Sequence, residues 1–130
     1  MSEEVTLKMN FKCDIETENK RIYKKDEFIV AMDDYVNRDY SFVSSTVDQT
    51  IPAIRLTDVI GMINSYKIED DGSIFVSFNK MKEFDHNKFD LTTYLLGDIR
   101  KDKSIDIKKI IYLFLSIEST IAESILFEST

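Results

Sequence analysis

The sequence has few of the residues from which chemical sites are usually built. Its 130 residues include one cysteine, one histidine, one proline and three glycines, and no tryptophan. With Cys13 alone, no intrachain disulfide can form. One histidine and one cysteine cannot supply the ligands of a usual structural zinc site. Three scattered glycines exclude a Gly-rich phosphate-binding loop. We therefore predict no cofactor and no metal.

The chain also has fewer basic than acidic residues. The chain carries 17 Lys and Arg against 24 Asp and Glu, a net charge of −7. Nucleic-acid binding requires clustered cations, so we expect no nucleic-acid partner. No apolar run approaches the roughly 20 residues of a membrane span. The start, Met1–Glu4, is acidic where a signal peptide is basic. We expect an intracellular protein without a membrane partner, whose acidic surface suits solubility or a basic protein partner.

The length and composition, with 43% hydrophobic and 32% charged residues, predict one domain over residues 1–130. Apolar and polar residues alternate from Val5 to Ile15, and Cys13 lies on the apolar side. A period of two indicates a long strand with one solvated face, which favours antiparallel pairing. It also makes Cys13 a buried hydrophobic residue rather than a nucleophile.

The centre of the predicted fold is a hairpin within Leu56–Phe78. Two apolar runs flank Glu69–Gly72, and the second run places Ile74, Val76 and Phe78 on one face. Asp-Asp-Gly is typical of a tight turn. We predict Gly72 at positive φ, where valine is strained and asparagine is tolerated.

The remaining pattern predicts one amphipathic helix and more strands. Apolar residues at spacings of three and four indicate the helix at about 25–37. Strands are expected at Tyr40–Val47 and Ile105–Ile117, the second half of the latter buried on both faces. Residues 89–96 fit either a second short helix or a strand, and Ile121–Phe127 a last strand or a docked turn. The predicted class is α+β: a mostly antiparallel curled sheet, or a partly closed β-barrel, of six or seven strands.

Residues for catalysis are hard to assemble from this sequence. Several serines are present, but a serine nucleophile needs a base, and His86 lies in a charged stretch typical of the surface. Asp33-Asp34 and Asp70-Asp71 could bind calcium, yet the EF-hand pattern is absent. We assign no catalytic, cofactor-binding or metal-binding residue. Candidate serine nucleophiles would be Ser44, Ser45, Ser65, Ser73 and Ser77.

Four segments, in order, resemble the tailed-phage prohead maturation proteases. Asn19–Phe28 is similar to that family's N-G-R-I-Y-P-x-E-V-L segment, which ends a strand and starts a helix. Ile54–Gly61 resembles its I-D-L-T-N-V segment. Ile63–Val76 resembles its hairpin, and Ile105–Ser119 its closing strand. The resemblance thus spans residues 19–119 and implies the family's fold.

The chain departs from this family where the catalytic residues belong. The family's histidine base falls at Thr46 or Val47 here. Its Ser-Ser-Arg-Gly-like nucleophile segment corresponds to Leu95–Arg100, which has Gly97 and an arginine but no serine. The resemblance therefore implies a conserved fold that has lost its catalytic residues.

The function expected from this resemblance is structural. We expect a non-enzymatic head, neck or tail protein of a phage particle, assembled in the host cytoplasm, that binds other virion proteins and itself in many copies. Candidate binding segments are Tyr40-Ser41-Phe42 and Ile121–Phe127, although both also fit the core. One alternative is a small acidic inhibitor or immunity protein that binds a basic partner. Another is an active protease with diverged catalytic residues, which requires His86 as the base.

The purified protein is expected to have no peptidase activity, because a general base and an activated nucleophile together supply many decades of rate. A fluorogenic peptide assay and intact-mass analysis for self-cleavage measure this. Labelling by a serine-directed phosphonate that His86→Ala abolishes would show the opposite.

Overall fold

The computed structural model describes residues 3–47, 53–117 and 124–128. These residues form seven strands, one α-helix and two short 3₁₀ turns, at Leu56–Asp58 and His86–Lys88. The larger elements are β1 (Glu4–Lys12), α1 (Lys25–Val36), β2 (Phe42–Ser44), β3 (Val59–Ile68), β4 (Ser73–Lys80), β5 (Phe89–Ile99), β6 (Ile105–Ile117) and β7 (Ser124–Glu128).

Six of the strands close into a barrel. The order across the sheet is β1-β4-β3-β2-β6-β5-β7, and β1 also pairs with β5, where Met9 lies opposite Leu91. This last pairing joins the two ends of the six-stranded part, so that β7 lies outside the ring on the edge of β5. The predicted α+β class with a barrel and one helix is confirmed.

Most pairings in the barrel are antiparallel, as the pattern of solvated faces predicts. The antiparallel pairs are β1–β4, β3–β4, β2–β3 and β5–β6. Three pairs are parallel: β1–β5, β2–β6 and β5–β7. The barrel is therefore mixed, because the β1–β5 and β2–β6 pairs within the ring run in the same direction, and β7 adds a third parallel pair outside the ring.

The alternation along β1 is confirmed, but the strand is shorter than predicted. Val5, Leu7, Met9 and Phe11 are buried. The strand ends at Lys12, and the chain turns at Asp14, whose φ is +64°. Ile15 is consequently 48% exposed. Its place in the buried row was a wrong prediction, since the period of two holds only while the backbone stays extended.

The central hairpin is confirmed as β3–β4, with its tip at residues 69–72. Glu69 N–H donates to the Ser73 carbonyl at 2.8 Å, and Gly72 N–H donates to the Glu69 carbonyl at 2.9 Å. Gly72 has a φ of +91°. The predicted core-facing row of β4, Ile74, Val76 and Phe78, is fully buried.

A close contact at the hairpin tip corrects the expectation for asparagine. A Cβ atom at Gly72 would lie 2.4 Å from the Cys13 carbonyl oxygen. The same two residues are hydrogen-bonded, because Cys13 N–H donates to the Gly72 carbonyl at 2.9 Å. Any side chain at position 72 therefore collides with the backbone that follows β1, and tolerance of positive φ does not rescue asparagine.

The single helix is confirmed to within one residue of its predicted ends. Its apolar face, Phe28, Ala31, Met32 and Tyr35, is buried. The Phe28 ring meets the Phe11 ring edge-on, with 5.8 Å between centroids. This contact joins α1 to the apolar row of β1.

The alternative of a second helix at 89–96 is wrong. This segment lies in β5, which pairs with β6 from Phe89 opposite Ile117 to Ile99 opposite Ile105. The long hydrogen-bonded partner strand decides the conformation, and no local pattern reveals it.

The other predicted strands are present with different lengths. The strand expected at Tyr40–Val47 is only β2, three residues long. β6 matches Ile105–Ile117, and its residues 112–115 are all buried, as predicted. The last predicted segment, Ile121–Phe127, overlaps β7 from Ser124 onward, while residues 121–123 lie outside the described part of the chain.

Substitution at the hairpin tip tests this arrangement. Gly72→Val and Gly72→Asn are both expected to lower the free energy of unfolding by roughly 1 kcal/mol or more, because positive φ and the Cys13 carbonyl both oppose a side chain. Urea unfolding measures the change. Asp70→Asn, at an exposed position of the same turn, serves as the control. A Gly72→Asn protein as stable as the parent would mean that the tip does not contact Cys13.

Candidate interaction surface

The residues that could act as a base or a nucleophile make structural contacts instead. His86 is half-buried, and its ring lies edge-on to Phe84 at 6.4 Å between centroids. Cys13 is buried, and burial raises the pKa of its thiol to about 12. Cys13 is thus a protonated, buried residue at neutral pH, as predicted, and a poor nucleophile. Within the described ranges, no three His, Cys, Asp or Glu residues are grouped so as to hold a metal ion.

The serines and paired aspartates are likewise distributed over separate elements. Ser44 donates its hydroxyl hydrogen to the Thr46 carbonyl at 2.6 Å, and Ser77 shares a hydrogen bond with Thr6 at 2.8 Å. Asp33 accepts a 2.5 Å hydrogen bond from the Tyr66 hydroxyl. The Thr6–Ser77 and Tyr66–Asp33 hydrogen bonds join separate elements, whereas the Ser44 hydrogen bond is local.

The acidic residues at the hairpin tip have a similar role. Asp71 accepts a hydrogen bond from Ser73 N–H at 2.9 Å and lies 3.5 Å from the Lys12 ammonium. The Ser73 hydrogen bonds, more than the lysine, lower the pKa of the Asp71 carboxyl. Asp71 thus holds the turn closed.

Tyr40, Phe42 and Met62 form an exposed apolar patch that we name the Tyr40 surface. Tyr40 is 73% exposed, and its ring tilts against Phe42 with 5.7 Å between centroids. Met62, also exposed, is the cross-strand partner of Phe42. Of the segment 40–42, only Ser41 is buried. The suggestion that this segment belongs to the core is wrong for Tyr40.

Hydrogen bonds lie on both sides of Tyr40. The Arg38 guanidinium donates to the Ile110 carbonyl at 2.9 Å and forms a 2.6 Å ion pair with Asp34. On the other side, the Tyr35 hydroxyl donates to the Phe42 carbonyl at 2.5 Å. One backbone carbonyl and one side chain next to Tyr40 are thus tied to neighbouring elements.

The second predicted binding segment lies along the seam between β5 and β7. Ser124 is buried, Ile125 and Leu126 are half-buried, and Phe127 is 40% exposed. The Phe127 ring lies 6.4 Å from the Tyr94 ring. This segment therefore covers the outside of the barrel rather than filling it. Beside it is a shallow groove of about 270 Å³, lined by Arg38, Leu96, Lys109, Ile111 and Phe127.

An ion-pair cluster holds the first turn of α1 to the β5–β6 turn. The Arg100 guanidinium donates to both Glu27 carboxylate oxygens, at 2.8 and 2.7 Å, and to Asp106 at 3.2 Å. The hydrogen bond from Arg100 lowers the pKa of the Glu27 carboxyl. Sequence reasoning missed this cluster, because 73 residues separate Glu27 from Arg100.

A buried lysine was missed as well. The Lys80 side chain is only 6% exposed, and its ammonium lies 3.1 Å from Glu83, 3.5 Å from Glu3 and 5.3 Å from the centre of the Phe84 ring. The hydrogen bond to Glu83 raises the pKa of Lys80. The sequence did contain a signal for this burial, because the period of two along β4 places Lys80 on the same face as Phe78.

None of the helices in the described ranges is long and apolar enough to cross a membrane. Comparisons of the chain with protein-family models, with curated proteins and with solved structures find no match.

Because of the Glu27–Arg100 pair, we expect the free energy of unfolding to depend on pH. Because the folded pKa of Glu27 is lowered, the pair stabilises the protein above the unfolded pKa of about 4.3 and loses this effect as the pH falls through the folded value. Glu27→Gln should therefore lower the urea midpoint at pH 7, and its difference from the parent should shrink toward pH 3.

Glu18→Gln, at an exposed position, is the control and should leave the midpoint unchanged at both pH values. A Glu27→Gln difference that is equally large at pH 3 would show that packing, not charge, is responsible.

Proposed function

We propose that this protein is a non-enzymatic structural or assembly protein of a tailed-phage particle, binding other virion proteins and further copies of itself. The observation that carries the proposal is the Tyr40 surface. Exposed aromatic residues beside methionine are enriched at protein interfaces and depleted on other surfaces. A tyrosine loses little conformational entropy when it is bound.

The contacts beside this surface support a binding role. Because the Arg38 guanidinium and the Phe42 carbonyl are both engaged in tertiary hydrogen bonds, less ordering is needed beside Tyr40 on association. An interface that is already ordered loses less free energy when a partner binds. The aromatic ring is thus presented in a form suited to tight contact.

The phage assignment draws its support from the resemblance at residues 19–119. The four resembling segments correspond to the region leading into α1, the approach to β3, the β3–β4 hairpin and β6. These segments lie in one barrel with one helix, and under the resemblance Thr46 or Val47 would stand for the family's base and Leu95–Arg100 for its nucleophile segment. A barrel of this kind, assembled in the host cytoplasm, would serve as a building block rather than as a protease.

Self-association through the Tyr40 surface is directly measurable. Sedimentation velocity over a range of concentrations should show multimers of the parent protein. Tyr40→Ser should weaken this association about 30-fold, the effect of losing an interface anchor worth roughly 2 kcal/mol. Ile99→Ser, at another exposed apolar residue, is the matched control and should associate normally.

Two outcomes would contradict the proposal. One is a parent protein that stays monomeric and forms a tight one-to-one complex with a single basic protein, which would favour an acidic inhibitor. The other is a quantitative mass-spectrometric inventory of purified phage particles, made from the genome that encodes this chain, in which the protein is absent.

A further inference from the structure

We propose that β7 is an exchangeable strand, and that the β5 edge at residues 93–97 receives β7 from a second copy of the chain. This inference deepens the proposed function, on which it rests, by naming a second contact between copies. It follows from the way β7 is attached to the barrel.

The barrel closes without β7. The β1–β5 pairing at Met9 and Leu91 completes the six-stranded ring, and β7 is added to the same edge of β5 farther along, from Thr93 onward. In the described part of the chain, β7 pairs with β5 alone. Its departure would therefore leave every pairing within the ring intact.

β7 buries less apolar surface than the strands of the ring. Its only buried side chain is that of Ser124, while Ile125 and Leu126 pack half-buried against the core and the exposed Phe127 lies beside Tyr94. Apolar burial contributes about 25 cal/mol per Å², so β7 gains less from it than a strand with fully buried apolar side chains. Such segments open with a free energy well below that of global unfolding.

Polar contacts, by contrast, define where β7 binds. The Tyr23 hydroxyl is hydrogen-bonded to the Ser124 hydroxyl, and Arg21 donates to the Ser124 carbonyl and hydroxyl oxygens, both at 3.2 Å. Opposite Ser124 lies Thr93, which is buried and whose hydroxyl has no hydrogen-bond partner among the described residues. These hydrogen bonds fix the register of β7 on β5, while the unpaired Thr93 hydroxyl subtracts from the stability of the seam.

A second copy is the occupant that fits this seam. When β7 leaves, the β5 edge exposes unpaired backbone groups, which a strand must cover again. The same residues from another copy reproduce every contact made by the resident strand, so the exchange costs little. In a multi-copy particle, neighbouring copies would supply the strand at high effective concentration.

The test uses the full chain with its own β7 disabled. Ile125→Pro combined with Leu126→Pro removes two backbone donors and cannot continue a strand within a sheet. Circular dichroism should show that this variant keeps its fold. A fluorescent peptide with the sequence of residues 118–130 should bind the variant saturably, and bind the parent at least tenfold more weakly, because the parent's edge is occupied.

Matched controls separate strand addition from unspecific binding. The same peptide carrying Leu126→Pro has equal length and charge and should not bind. In the parent, hydrogen exchange followed by mass spectrometry should show the amides of residues 124–128 exchanging before those of residues 112–115.

Unfolding of the double variant would overturn the proposal, because the ring would then depend on β7. So would a folded variant that does not bind the peptide, or equal protection of β7 and β6. These failures differ from failure of the proposed function: Tyr40-dependent self-association would persist while strand exchange was absent. Peptide binding by the double variant, together with self-association of the parent that Tyr40→Ser does not weaken, would mark the opposite case.

Discussion

The backbone pairing of Met9 on β1 with Leu91 on β5 closes the barrel, and the rest of the structure depends on it. Closure pairs every ring strand on both sides for part of its length, leaves β7 to cover β5 from Thr93 onward, and turns the apolar row of β1 toward an enclosed interior. The helix then covers this interior through the contact of Phe28 with Phe11. The ion pairs of Arg100 attach the first turn of that helix to the β5–β6 turn.

The two candidate surfaces differ in how they are attached to this barrel. Beside the Tyr40 surface, the Arg38 guanidinium and the Tyr35 hydroxyl donate hydrogen bonds to neighbouring backbone carbonyls. The strand β7, by contrast, has Ser124 as its single buried side chain. A patch tied to its neighbours suits a contact that keeps its geometry, whereas a strand outside the ring suits a contact that exchanges. The proposed assembly role would use both.

Several elements could be predicted because their cause is local. The buried row of β1 and the core-facing row of β4 follow from a period of two, the helix from spacings of three and four, and the turn at Gly72 from its tolerance of positive φ. The two candidate segments were named from the sequence as either binding or core residues. Their exposure was not predictable, because Tyr40 is as apolar as a core residue and only the surrounding packing places it outside.

The local pattern by itself determined which alternate residues of a strand face the core, where the helix lies and where the hairpin turns. Each of these depends on neighbours within a few residues. Tertiary structure alone decided that residues 89–96 form a strand, that the ring closes through one parallel contact, and that Gly72 tolerates no side chain. It also placed Arg100 against Glu27, 73 residues away in the chain. These outcomes depend on hydrogen bonds and contacts between residues distant in the chain, and no periodicity in one segment records which distant strand will lie beside it.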